Sequence, residues 1–527
     1  MQQGHDAGMN VAETFDPKRN AAPVDRAAEG YSLRSLITAE EMFPDLERLA
    51  LGAETELLMS FRIFDARTGL RSDEAKELGL ATWADLLTHV AERGVKLRIL
   101  LADFDPIFAG DLHRNAWTSA RIFGSRLPDS AELLCALHEC RSAPMWKWVF
   151  RAAVNKRLRA MRELPPEHLT TLQNRALQGD WDLRPVTLHQ KLAVADGRRA
   201  IIGGLDVDER RWDTPEHDQR PEETWHDVSL RVEGPPAADI RAHFANCWQR
   251  ALDDDATRFT EQATPVPDPG KLSRPEPPAP RVIRTVSCRG KGAMQLGAET
   301  MLHEHEDAHI AAFARAEHSI YIETQFFRHA PLAEALAEVA ARQPRLQLVL
   351  LMPTEPDRVI FDGQTGVDSR HAQALQIRCL DILKRAFGDR MMTVSPVQPR
   401  KAKNGDPMPL KGGRVVYVHS KVTIVDDHTA IVGSANLNGR SMKWDTEASL
   451  MFHDPGEVRD LRERLARIWL DDHYGDGDPD RAATWRRAAE KNAKRAPDER
   501  AGFMLPYPEQ RNRRFARFLP ILPPEMF

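Results

Sequence analysis

The chain has 527 residues, 42% hydrophobic and 29% charged, enough apolar material for two to four globular domains by length alone. A formal net charge of -5 gives no bulk electrostatic support for a polyanion partner, so a nucleic-acid substrate is not expected. Five cysteines (Cys135, Cys140, Cys247, Cys288 and Cys379) are too few and odd in number for a disulfide framework, and fit a reducing compartment. No apolar run approaches bilayer length, and the stretch from Met1 to Arg19 lacks the basic start and apolar centre of a secretory signal. The expected location is cytoplasmic or peripheral to a membrane, with export by a signal-independent route compatible.

In chain order, residues 1–30 read as a disordered leader. An amphipathic helix follows through Ile37, Met42, Leu46 and Leu49, then the buried-strand run Leu57–Phe64. A helix over Trp83–Glu92 and the strand Val95–Leu101 complete a parallel α/β unit. Residues 105–181 break that rhythm as an insertion. Within it, the aromatic and basic cluster Met145–Arg151 reads first as the start of a core-packed helix, with a lipid-contacting lip as the alternative. This N-terminal lobe spans 31–263.

A proline-dense connector at 264–281 separates it from a C-terminal lobe at 282–474, where the same order of elements returns. Strands are expected at Ser319–Phe327 and Leu346–Leu351, with a helix over Ala333–Arg342 between them. The run His303-Glu-His-Glu-Asp-Ala-His309 resembles a metal cluster but is read as the solvated face of a helix whose apolar side is Ile310 and Phe313. No metal and no cofactor is expected. Residues 475–527 form a basic tail, read as a solvated face, with attraction to anionic phospholipid as the alternative.

The organising feature is a repeat. Thr187-Leu-His-Gln-Lys-Leu-Ala-Val-Ala-Asp196, followed by Ile201-Ile-Gly-Gly-Leu-Asp206, matches Tyr417-Val-His-Ser-Lys-Val-Thr-Ile-Val-Asp426, followed by Ile431-Val-Gly-Ser-Ala-Asn436. On a strand, residues i and i+2 share a face, so His189 and Lys191 point one way and Leu192 and Val194 face the core. Asp196 has the opposite parity and falls at a turn, where Asp196-Gly197 is a hairpin signal. The return strands would bring Gly203 and Gly204 beside His189, and Gly433 and Ser434 beside His419, leaving room for a phosphate.

Two half-sites, each too small to surround a phosphodiester, are completed by packing across a pseudo-two-fold axis. One imidazole then attacks phosphorus and the other protonates the leaving alkoxide. Lys191, Lys421 and Asn436 can hold the non-bridging oxygens; Asp206 stands at the position equivalent to Asn436, so the halves differ. Self-alignment nominates Asp227 as the partner of His189 and Glu447 as the partner of His419.

The paired motifs resemble the HKD signatures of the phospholipase D superfamily. The strings Ile320–Phe327, which contains Gln325, Trp225–Pro235, Gly203–Asp206 with Arg211–Asp213, and Gly433–Met442 look like its eukaryotic-type branch. The Arg- and Ala-rich style points to a bacterial source. The resemblance implies two similar α/β/α sandwich lobes related by pseudo-two-fold symmetry, an active site at their interface, and no obligatory metal. It implies cleavage of phospholipid head-group diesters through a phosphohistidine at a membrane surface, releasing phosphatidic acid and an alcohol, with transphosphatidylation as a further outcome. His189 is then the nucleophile and His419 the acid and base; Asp196 and Asp426 complete the signatures, and Gly204, Ser434 and Gln325 contact substrate. A cardiolipin or phosphatidyl-transfer synthase is the alternative function, with a nuclease or a binding-only pseudoenzyme behind it. A monomer is expected. Thr324 stands where the family often has Asn, and the short leader leaves no room for the eukaryotic regulatory domains.

Overall fold

The computed structural model describes residues 24–26, 30–268, 270–272, 279–363, 365–520 and 522–527. Most of the expected leader, and part of the proline-dense connector, lie outside the described residues.

Two mixed β-sheets carry the fold. The first contains β1 (Val24–Arg26), β2 (Tyr31–Ile37), β3 (Glu56–Phe61), β4 (Lys96–Ala102), β5 (Glu132–Ala136), β6 (Leu192–Ala195), β7 (Arg199–Gly203), β8 (Val228–Glu233) and β9 (Thr257–Arg258). Its order is β1-β2-β8-β7-β6-β3-β4-β5-β9. The second contains β10 (Arg281–Cys288), β11 (Glu299–His303), β12 (Ser319–Thr324), β13 (Gln347–Leu351), β14 (Met391–Lys401), β15 (Gly413–Val415), β16 (Lys421–Val425), β17 (Thr429–Gly433), β18 (Glu447–Phe452) and β19 (Met504–Pro506). Its main path is β11-β10-β18-β17-β16-β12-β13-β14-β15. The central seven strands correspond one to one, so the sequence repeat is a structural repeat. In each sheet three parallel strands (β3-β4-β5, β12-β13-β14) join an antiparallel set at β6 or β16.

Alternation along the strands divides the apolar side chains between two layers. Leu57, Met59 and Phe61 pack with Leu46, Trp83 and Leu87 on the outer face of the first sheet, whereas Leu58, Leu192 and Val194 face inward. That inner face joins residues of both sheets, with Phe244 and Trp248 from one half and Leu461, Trp469 and Trp485 from the other, in one continuous core. Ile320, Ile322, Phe313 and Leu383 form the outer layer of the second sheet.

Four sequence expectations change. The insertion is shorter than 105–181: the helix Gly110–Arg126 and β5 form an ordinary third unit of the first sheet, matching the helix Val367–Phe387 and β14. Only five residues long, β5 carries too little pattern to announce itself. The helix Pro144–Val149 inside the Met145–Arg151 cluster is not core-packed, for none of its side chains is buried. The His303–His309 segment is not a solvated face. His305 is buried and bonds Thr285 and Ser449, His309 is buried against the His305 carbonyl, and Ile310 is the exposed side chain. The basic stretch after Arg481 is folded onto the second sheet, with Trp485 buried and β19 paired to β14.

The motif aspartates sit at the far ends of the motif strands. Asp196, at φ 55°, accepts from the backbone N–H groups of Glu54, Thr55 and Glu56, and Asp426, at φ 50°, from those of Glu317, His318 and Ser319. Each carboxylate thereby satisfies the chain entering the neighbouring strand, β3 or β12. Partial burial works to raise the Asp196 carboxyl, but the donors of Thr55 and Glu56 outweigh it and hold it at about 2. Because the folded state lowers this pKa, its contribution is present above the unfolded value of about 3.9 and is lost as pH falls toward about 2. Asp196→Ala is expected to destabilise the fold by about 2–3 kcal/mol in urea unfolding at neutral pH. Asp196→Asn, which tolerates the left-handed backbone, should cost less. Equal losses for the two variants would refute the charge-assisted role.

Candidate active site

His189 and His419 lie in extended segments just before β6 and β16, where the two halves meet. Leu188 pairs in parallel with Thr446, and His226 with Val418. The two bridges are reciprocal under the repeat, because 188 corresponds to 418 and 446 to 226. The halves therefore face one another about a pseudo-two-fold axis, and the histidines sit on either side of it.

This arrangement corrects the partners nominated by self-alignment. His189 Nδ1 lies 3.0 Å from the Glu447 carboxylate, and His419 Nδ1 lies 2.6 Å from Asp227 Oδ2. Each imidazole is thus held by the other half. Within one sheet β7 lies between β6 and β8, so a carboxylate at the head of β8 is two strand spacings, roughly 10 Å, from its own histidine. Across the axis the bridging segments are adjacent.

The small residues also have a different use from the one expected. A Cβ at Gly204 would stand 2.1 Å from Asp227 Oδ1, so Gly204 makes room for the carboxylate and not for a phosphate. At the equivalent place the Ser434 hydroxyl donates to Glu447, one methylene longer, which also accepts from Ser441 Oγ at 2.6 Å. Gln325 donates to the Tyr417 hydroxyl at 2.7 Å, tying it to the segment that carries His419. Asp196 and Asp426, expected among the catalytic groups, are held at the strand turns instead.

The lysines are in the cluster. Lys191 Nζ donates to the His189 carbonyl and stands 3.8 Å from Asp206, whose other oxygen accepts from the Ile63 N–H at 2.8 Å. Lys421 Nζ donates to the His419 carbonyl. Asn436 is buried, with its Oδ1 unpartnered among the described residues.

Sequence reasoning missed two arginines. Arg211 lies 3.6 Å above the ring of Trp225, which in turn packs against His419 with ring centroids 4.8 Å apart; its Nε and one terminal nitrogen have no partner among the described residues. Arg62, one residue past β3, corresponds in register to Gln325, and its Nε is likewise buried and unpartnered. Arg211 had a signal, since the string Arg211–Asp213 is part of the family resemblance, but no role was attached to it; Arg62 had none.

Burial dominates the electrostatics. His189 and His419 are 13% and 8% exposed at the side chain, and neither Nε2 has a partner among the described residues. Desolvation first, then Lys191 and Arg62, holds the His189 imidazole well below its ordinary range; desolvation, then Lys421, does the same to His419. Burial pushes the Asp227 carboxyl up to about 7 and Glu447 up to about 8, and lowers Lys421 to about 7. Each imidazole and its carboxyl therefore act as one coupled acid–base unit, with a neutral ring and a free Nε2. Such a site can attack phosphorus with one ring nitrogen and carry a proton on the other, amid cations suited to phosphate.

Two His-x-Lys half-sites, each completed by a carboxylate from the opposite half, define a duplicated two-histidine fold with a single centre. A family model described as "Cardiolipin synthase, PLD-like domain" matches residues 309–469. Phospholipase D1 of Schizosaccharomyces pombe is 24% identical over 343 residues, covering 50% of this chain and 25% of that protein. Phospholipase D gamma 1 of Arabidopsis thaliana is 25% identical over 386 residues, covering 51% and 44%. The chain thus spans between a quarter and under half of the length of these relatives. Phosphatidylserine synthase of Haemophilus influenzae superposes with a TM-score of 0.48 at 12% identity, over 83% of this chain and 85% of that one. Together the family model and these relatives support a place in the phospholipase D superfamily.

Because Lys421 disfavours the charged form of His419, Lys421→Met is expected to raise the titration midpoint of His419 toward the ordinary value of about 6.5, followed by its ring resonances in NMR. In the unsubstituted chain both rings should remain neutral from pH 8 to below that value. A midpoint at or above it would overturn the electrostatic description.

Proposed function

We propose that the chain is a phosphodiesterase of the phospholipase D type that cleaves the head-group diester of phospholipids. The observation that carries this reading is the crossed pair of histidine–carboxylate units, whose free Nε2 atoms sit among Lys191, Lys421, Arg62 and Arg211. The similarity to phospholipases D of yeast and plant origin supports the lipid substrate.

In the proposed cycle, Glu447 holds the proton on His189 Nδ1 and leaves the Nε2 lone pair to attack phosphorus. The N–P bond forms as the bond from phosphorus to the head-group oxygen breaks. His419, protonated at Nε2, gives its proton to the departing oxygen, so the products of the first step are a phosphohistidine and a free alcohol. Lys191, Lys421 and Asn436 offset the charge on the non-bridging oxygens. Neutral His419 then takes a proton from water, the oxygen attacks phosphorus, the N–P bond breaks, and phosphatidic acid leaves. An incoming phosphodiester adds the negative charge that lets His419 hold its catalytic proton.

A second reading is transfer to an alcohol in place of water, as in a cardiolipin-type synthase, and the description of the matching family favours it. Product analysis on phosphatidylcholine, phosphatidylethanolamine and phosphatidylglycerol, with and without added glycerol, separates the two. Phosphatidic acid is expected without acceptor, and a new diester in its place would favour transfer. Failure to turn over any of these lipids while a generic phosphodiester is cleaved would remove the lipid assignment. His419→Ala should accumulate phosphohistidine and His189→Ala should not; the reverse pattern would exchange the two roles.

Leaving-group chemistry tests the crossed carboxylates. With a p-nitrophenyl leaving group the first step has little need of an acid. The burst of nitrophenol should therefore survive in Asp227→Asn and fall about 10²-fold or more in Glu447→Gln. Loss of the burst in Asp227→Asn with retention in Glu447→Gln would mean that each carboxylate serves its own half.

A further inference from the structure

We propose that the short helix Pro144–Val149, the loop around Met294 and the helix Arg151–Arg162 form a docking surface for an anionic phospholipid bilayer. This rests on the phospholipid reading above and supplies the surface by which such a substrate is met.

The helix Pro144–Val149 has no buried side chain. Met145, Trp148 and Val149 stand at i, i+3 and i+4, so they share one face, and all three are exposed; Trp148 is 75% exposed. Trp146, on the adjacent side of the helix, donates from Nε1 to the Met294 carbonyl at 2.9 Å, which brings the 73% exposed Met294 next to this helix. Four large apolar side chains in one exposed neighbourhood are unusual on a soluble surface and mark a contact site.

The flanking helix identifies the partner. In Arg151–Arg162, Val154, Leu158 and Met161 pack with Ile107, Ala176 and Leu183, while Arg151, Lys156, Arg157, Arg159 and Arg162 are exposed. That helix contains no acidic residue, and none of these five cations has a carboxylate partner among the described residues. Exposed Arg289 and Lys291 add positive charge on the Met294 side. The nearby Asp182 is engaged by Lys147 and Arg141. An apolar tip beside a one-sign basic face matches an anionic membrane, whose head groups attract the cations while Trp and Met enter the acyl boundary. Two exposed carboxylates, Glu163 and Glu167, lie just past the end of this helix, so the membrane is favoured by the apolar tip and the five unpaired cations taken together.

The surface is joined to the catalytic rim. Ala143 N–H donates to the Gln295 carbonyl, Ser142 Oγ to that of Leu296, and Ser142 N–H to that of Leu183, six residues before His189. Gly297 lies directly against Trp444, three residues before Glu447. A bilayer held at this surface would lie next to the mouth between the halves.

The test uses the full chain. Flotation of the His189→Ala protein with mixed phosphatidylglycerol and phosphatidylcholine vesicles is expected to be strong, to weaken with added salt, and to weaken on pure phosphatidylcholine. Met145→Ser with Trp148→Ser, and separately Lys156→Glu with Arg159→Glu, should each lower binding about tenfold or more. In an otherwise unsubstituted chain both double variants should keep turnover of bis(p-nitrophenyl) phosphate and lose turnover of vesicle lipid. Undiminished vesicle binding by both variants would overturn the proposal. So would a doubling of mass in sedimentation that the Trp148 variant abolishes, which would assign the face to a second copy, or hydrolysis of micellar lipid without any vesicle association. Vesicle binding with no lipid turnover would instead count against the phospholipase reading and leave the docking surface standing.

Discussion

Four backbone hydrogen bonds across the axis between the halves are the constraint on which the centre of this molecule depends. His189 N–H donates to the Thr446 carbonyl and Thr446 N–H to that of Thr187; His226 N–H donates to the Tyr417 carbonyl and His419 N–H to that of His226. They form two reciprocal pairs, 2.8 to 3.1 Å long. Strand pairing of this kind leaves little freedom in register, because a slip of one residue would turn each histidine to the opposite face. The bridges therefore decide which carboxylate stands behind which imidazole. They also explain why a single half would have no site: each supplies a histidine without its partner.

Reciprocity of the backbone does not extend to the side chains, and several of the differences fall on the carboxylates and their supports. Glu447 is held by two serine hydroxyls as well as His189, whereas Asp227 fits into the space left by Gly204 and accepts from the Val228 N–H. Lys191 has Asp206 nearby, while the corresponding position in the other half is the neutral Asn436. A duplicated site that retained symmetry would offer a phosphodiester two equivalent nucleophiles. Glu447, held by two serines, fixes the His189 tautomer, which suits the nucleophile role proposed for that imidazole. His419 stands 2.6 Å from Asp227 and packs on the Trp225 ring, so it is held at least as closely as His189, and the asymmetry lies in what surrounds the two carboxylates.

Much of this was legible in the chain because the repeat makes each half a check on the other. The inward Leu192 and Val194, the turn position of Asp196, and the matched strand order all follow from period-two alternation and the duplicated spacing. The carboxylate partners were misread for a physical reason. Self-alignment reports which residues are equivalent, not which are adjacent, and in a two-fold arrangement the neighbour of a residue is the partner of its equivalent. His305 and His309 were misjudged because hydrophobic periodicity counts histidine as polar, although a neutral ring with two hydrogen bonds is an acceptable core side chain. Arg62 carried no sequence signal stronger than any surface arginine, and Arg211 only its place in the string Arg211–Asp213.

The polar centre is anchored in a shared apolar layer, and the two are not separable. Glu323, fully buried on β12, accepts from His226 of the first half and from Tyr321, Ser420 and Trp469 of the second. His226 is itself the residue whose backbone bridges to Tyr417 and His419. One carboxylate thus binds the segment bearing Asp227 to the segment bearing His419, inside the core formed by both sheets. Its carboxyl is nevertheless held below the ordinary range: desolvation opposes this, and His226 with the converging donors overcomes it. A charge buried without such donors would cost several kcal/mol, so the network persists only while the halves remain in contact. The same contact that protects Glu323 from water sets His419 against Asp227. Opening the interface to admit a bulky substrate would break both, and the reacting phosphate must therefore reach the histidines from the rim of a closed interface.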